Sequence, residues 1–81
     1  MVTAFVLIHA NDKDFSGMGE AMLAIEGVAE VHVVAGEYDM VAVVRVADTR
    51  TLSRILTEKL VRVPGVSRTK TLISLEAFGA E

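Results

Sequence analysis

Residues 29–46 read AEVHVVAGEYDMVAVVRV, two valine-rich runs joined by Gly36, Glu37, Tyr38 and Asp39. Val31, Val33 and Ala35 alternate against Glu30, His32 and Val34, the period of two expected of a strand with one wet face. Met40–Val46 is apolar almost throughout and is broken only by Arg45. The pair therefore reads as an antiparallel hairpin whose first strand is at a sheet edge and whose second is nearer the centre. The four connecting residues have no packing duty visible in the sequence, so the loop is the first place to seek function.

Upstream of the hairpin, Met1–Ala10 is apolar on both alternating faces, with Ala4, Val6 and Ile8 on one and Phe5 and Leu7 on the other. Such a strand is expected to be covered on both sides. It lacks a preceding basic region and runs straight into His9, which makes it too short for a signal core or a membrane span. Asn11 and Asp12 offer N-cap oxygens, and Phe15, Met18, Met22 and Ile25 follow on one helical stripe, so a first helix is expected from Lys13 to Glu26 with Gly27 as its stop. Downstream, Asp48 and Thr49 cap a second helix with the apolar stripe Leu52, Ile55, Leu56 and Leu60, ended by Pro64 and Gly65. In the last strand, Ser67, Thr69, Thr71, Ile73 and Leu75 share one face and Arg68, Lys70, Leu72, Ser74 and Glu76 the other, as in a half-exposed edge.

The order is β, α, β, β, α, β, and its junctions repeat: Glu26-Gly27-Val28 before the second strand is echoed by Pro64-Gly65-Val66 before the fourth. Right-handed crossovers then predict an α+β, ferredoxin-like βαββαβ fold, a four-stranded antiparallel sheet in the order 4-1-3-2 with two helices on one face. The central strands are apolar on both sides, so the face without helices calls for a cover. A second copy, packed sheet to sheet as a dimer, is the economical one.

Composition points the same way. The chain has 81 residues, enough for one domain, yet 52% of them are hydrophobic and the mean hydropathy is +0.47. A chain of this mass buries only about 62% of its unfolded surface, so an obligate oligomer is expected. The net charge of −3 and pI near 5.3 disfavour direct nucleic-acid binding, which depends on clustered Lys and Arg. No cysteine is present, which excludes a disulfide framework, a thiol nucleophile and a thiolate metal site, and suits the reducing cytoplasm.

Read together, the valine-rich strand into Ala35-Gly36-Glu37-Tyr38-Asp39, the Asp48 that opens the second helix, and Val63-Pro64-Gly65-Val66 leading to Thr69, Thr71 and Ile73 resemble the RAM domain, the effector-binding and oligomerisation domain of Lrp/AsnC (feast/famine) transcriptional regulators. The resemblance covers nearly the whole of residues 1–81 as a single domain. The family's usual helix-turn-helix has no counterpart before the first strand, so a stand-alone effector domain is expected. The resemblance implies sheet-to-sheet dimers that assemble into higher even-numbered rings such as octamers, with small effectors, commonly amino acids, in clefts between dimers. Carried over by position, the ligand-binding residues are Gly36, Tyr38, Asp39, Thr69 and Thr71. Backbone N–H groups around a glycine turn hold a carboxylate, a single acid such as Asp39 holds an ammonium, and threonine hydroxyls do either. Glu37 adds a negative charge expected to select against acidic effectors. Co-assembly with full-length Lrp/AsnC regulators is a further implied partnership, and no cofactor is implied.

Each of these residues also has an ordinary reading. Gly36 serves a turn by reaching positive φ, Asp39 caps such turns, Tyr38 suits an interface as well as a ligand wall, and Thr69 and Thr71 fit a strand by propensity alone. His9 and His32 are the only histidines, and in the expected strand order the third strand separates them, so neither a metal site nor an acid/base pair is expected. Met18 and Met22 read as core filling, and Arg45, Arg50 and Arg54 as solvated charge. The leading expectation is thus a non-enzymatic amino-acid-binding module. A dimeric α+β barrel enzyme of the monooxygenase or isomerase type and an ACT-like regulatory domain share much of this topology, and fold alone does not separate them.

Overall fold

In a computed structural model, which describes residues 1–79, the elements are β1 (Val2–Ala10), α1 (Phe15–Leu23), β2 (Val28–Val33), β3 (Met40–Val46), α2 (Thr49–Arg54) and β4 (Val66–Ile73). The last two residues of the expected 1–81 domain lie outside that description. The sheet is antiparallel throughout, in the order β2-β3-β1-β4, which is the 4-1-3-2 arrangement read from the opposite edge. Ala4, Val6 and Ile8 of β1 and Met40, Ala42, Val44 and Val46 of β3 turn inward to meet Met18 and Met22 of α1 and Leu52, Ile55 and Leu60 beyond it. Polar groups are absent from the buried set among the described residues, so the core is held by apolar burial alone.

The first helix is shorter than its periodicity suggests. Asp12 accepts from the Asp14 N–H at 2.6 Å and Asp14 in turn accepts from the Gly17 N–H at 3.1 Å, so the cap is Asp14 and neither Asn11 nor Asp12. Asn11 instead donates its N–H to Gly65 O at 2.9 Å. At the other end the helix closes at Leu23, and Ile25 completes the stripe from the turn that follows, half-buried against the core.

The second helix starts as expected, with Asp48 Oδ1 accepting from the Thr51 N–H at 2.8 Å. That bond holds the Asp48 carboxyl below the ordinary carboxylate value. The helix is not regular, however. After Arg54 it widens into a π turn over Ile55–Lys59, closed by the Leu60 N–H on Ile55 O, and ends in a 3-10 turn over Leu60–Arg62. The buried positions Leu52, Ile55 and Leu60 stand three and then five apart, and the widened turn is what returns Leu60 to the face of Ile55.

The repeated junction has a shared geometry. Gly27 and Gly65 both adopt left-handed backbone, φ +102° and +97°. Each then presents its carbonyl to the end of a central strand, Gly27 O to the Arg45 N–H at 2.8 Å and Gly65 O to the Asn11 N–H at 2.9 Å. A side chain at Gly27 would also collide with Ile55 Cδ1 at 2.8 Å and Val46 Cγ1 at 2.9 Å, so two constraints select glycine there.

Two strand ends change, and within the single chain β1 shows the bare face expected of it. β2 ends at Val33 instead of Ala35, and β4 ends at Ile73, leaving Leu75 and Phe78 almost fully exposed. β1 is covered on one side only: its outward face carries Phe5, 38% exposed, opposite Val43 of β3 and Leu72 of β4, with Leu7 opposite Val41 and Lys70. At the edge of this face Glu30 lies 2.8 Å from His32 Nε2 and 3.9 Å from Arg45 Nη1, exposed pairs worth little to stability. The chain exposes 5458 Å², against roughly 4,700 Å² for a compact monomer of its mass.

Candidate functional site at the hairpin end of the sheet

The loop between β2 and β3 is stitched down by Asp39. Its carbonyl accepts from the Val34 N–H at 3.0 Å, its own N–H donates to Ile8 O at 2.9 Å, and its Oδ2 accepts from the Ala10 N–H at 2.8 Å. The last bond falls where the β1–β4 register slips between His9 and Ala10, a bulge that leaves a strand donor in need of a partner. Asp39 thus fixes the loop to the end of the central strand, while Oδ1 takes no protein hydrogen bond among the described residues.

Next to it, Tyr38 stacks on His9 with ring centroids 4.4 Å apart and planes tilted by 34°. These two rings, with Glu37, Arg68, Thr69 and Lys70, line an open depression of about 380 Å³. Tyr38 and Thr69 are therefore brought together. Gly36, exposed at φ +147° with no atom within 4 Å of where a side chain would begin, shapes the loop beside them. Thr71 lies one pleat further along β4, opposite Val6, and is half-buried.

His9, Arg68 and Lys70 were not legible as site residues. His9 and Arg68 are cross-strand partners, and Lys70 is opposite Leu7, a register that one strand's alternation does not disclose. The depression offers two cations, one carboxylate, a phenol and a hydroxyl, groups that suit both ends of a zwitterion. Among the described residues no three His, Cys, Asp or Glu side chains are grouped to hold a metal, and β3 lies between His9 and His32. No helix is long and apolar enough to cross a membrane.

Comparison with known proteins decides the family. The Lrp/AsnC ligand binding domain matches residues 3–80. The chain belongs to the Lrp/AsnC ligand-binding domain family. An uncharacterised HTH-type transcriptional regulator of Pyrococcus furiosus is 44% identical over 98% of this chain and 55% of its own length. The leucine-responsive regulatory protein of Haemophilus influenzae is 30% identical over 94% of this chain and 46% of its own length. The chain thus spans about half the length of the curated relatives it matches. Among solved structures, a Thermus thermophilus protein superposes with a TM-score of 0.89 at 40% identity, over 99% of this chain and 100% of that one. A feast or famine regulatory protein from M. tuberculosis, solved in complex with L-methionine, gives a TM-score of 0.83 at 32% identity, over all of this chain and 54% of that one. The Pyrococcus, Haemophilus and M. tuberculosis relatives are named as regulators, and the domain matched here is the Lrp/AsnC ligand-binding part.

Proposed function

We propose that this Lrp/AsnC domain is a non-enzymatic sensor, which binds an amino acid at the hairpin end of its sheet and assembles through its uncovered face. The observation that carries the reading is the depression beside the Gly36–Asp39 loop, with Arg68 and Lys70 available to an α-carboxylate, Glu37 to an α-ammonium and the His9–Tyr38 stack to a side chain. Tyr38 and Thr69 act as ligand contacts. Gly36 gives the loop its shape, Asp39 anchors it with Oδ1 left free of protein hydrogen bonds among the described residues, and Thr71 lies one pleat further along β4. The M. tuberculosis relative in complex with L-methionine supports an amino acid as the effector class.

Assembly follows from the apolar part of the outward sheet face, which continues from His9, Arg68 and Lys70 toward Phe5. Phe5, Leu7, Val41 and Leu72 form an apolar patch around the already buried Val43 that has no cover in the single chain, and a second copy packed sheet to sheet hides it. Such dimers then combine into even-numbered rings, and the same surfaces admit full-length Lrp/AsnC regulators into mixed assemblies. In this way the domain modulates transcription in the cytoplasm without reading DNA.

Isothermal titration with each common amino acid tests the binding claim. Saturable binding of at least one, weakened about tenfold by Tyr38→Ala or Arg68→Gln, is expected from the loss of one charged or stacked contact. Binding unchanged in both variants would move the site elsewhere.

A further inference from the structure

At the opposite end of the sheet from the Gly36–Asp39 loop, a second depression of about 390 Å³ opens between Gly27, Val46, Thr51, Arg54, Ile55 and Lys59. Its floor is dry: Val46 is 7% and Ile55 3% exposed, and Gly27 lets them close up because it has no side chain to insert between them. Its wall is cationic, for a reason that lies in the second helix. In an α-helix, residues five apart point about 140° away from each other. The π turn over Ile55–Lys59 undoes much of that divergence, so Arg54 and Lys59 line one opening from successive turns.

Stability does not explain this pairing. The ion pairs among the described residues belong to Glu30, with His32 and with Arg45, so Arg54 and Lys59 have no carboxylate within 4.0 Å. Arg50 lies four residues before Arg54, a like-charge spacing that disfavours a helix. Arg45 also borders the opening, but its guanidinium is on the outward face beside Glu30, leaving Arg54 and Lys59 as the cations that face the depression. Glu26 stands in the same wall as its one acid.

We infer that this depression is a second, separate effector site that takes the carboxylate of a small aliphatic acid. Arg54 and Lys59 hold the oxyanion, the Thr51 hydroxyl donates to it, and the aliphatic body rests on Val46 and Ile55. Glu26 leaves the wall with a single surplus positive charge, which suits a monoanion better than a phosphate dianion.

The test is an NMR titration of the full chain, 15N-labelled and at fixed ionic strength, with 3-methylbutanoate as the probe and with acetate and inorganic phosphate beside it. Saturable shifts centred on the Gly27, Ala47 and Thr51 amides are expected, with 3-methylbutanoate binding more tightly than acetate or phosphate. R54Q/K59Q should weaken it roughly tenfold or more, because two charged contacts are lost. Both side chains are exposed, so the core is untouched, and Lys59→Met alone should give a smaller loss of the same kind. Shifts centred on Gly36–Asp39 instead, unchanged affinity in the variants, phosphate binding as tightly as the carboxylate, or no saturable shift would each overturn the assignment.

Discussion

The Asp39 carboxylate holds the Ala10 N–H at a bulge, so removing it leaves a part-buried donor without a partner. Asp39→Ala is expected to destabilise the fold by about 1–3 kcal/mol. The proposed dimer should persist, because it is attributed to the apolar face around Phe5 and not to this loop; a thermal melt and size-exclusion chromatography check both halves. Loss of the dimer would show that the loop itself builds the interface. Asp48 gives a pH signature. Its carboxyl lies below its ordinary value of 3.8 because the Thr51 N–H donates to its charged form, so its contribution is present above pH 3.8 and is lost as pH falls through the lower, folded value. The Tm gap between wild type and Asp48→Ala should therefore be constant near neutrality and close in acid. Asp48 was legible because a cap is a local signal, and so was the Gly36–Asp39 loop. His9 and Arg68 were hidden because what joins them is a pairing across β1 and β4, strands from opposite ends of the chain.

Among the elements, α1 contains a glycine that the single chain does not require. A side chain at Gly19 would meet Met40 Cε at 3.8 Å and Val31 Cγ1 at 4.0 Å, ordinary contact distances. Gly19→Ala should therefore stabilise the helix by about 1 kcal/mol, seen as a Tm roughly 4–8 °C higher. Gly27→Ala should do the reverse, since it combines positive φ with collisions at Ile55 and Val46. Equal effects of the two would contradict the packing described at both sites. The order of the elements and of the sheet followed from alternation and the repeated glycine junction, whereas the ends of β2 and β4 came earlier than alternation suggests. The π turn did not, because a stripe at 52, 55, 56 and 60 satisfies an α-helical template closely enough to conceal one wide turn. Its trace is the spacing of five between Ile55 and Leu60, which gains meaning once both are known to be buried.

For the whole molecule, the surplus of accessible surface and the bare face around Phe5 point to association. Phe5 is already 38% exposed in the single chain, so Phe5→Glu should leave the fold intact while placing charges against each other in a sheet-to-sheet dimer. Analytical ultracentrifugation should show a folded monomer for this variant. Val43→Glu, at a position only 6% exposed, should cost folding as well as assembly. The expectation of a partner rests on composition and on the two-sided apolar pattern of β1, whereas the identity of the effector has no comparable pattern in the sequence.

Native mass spectrometry of the purified chain, with and without a pool of the common amino acids that includes L-methionine, tests the central claim most directly, since it reads subunit number and bound mass together. An even-numbered assembly carrying one amino-acid mass per subunit or per interface is the expected result. A monomer, or an assembly that remains unliganded with every amino acid, would contradict it.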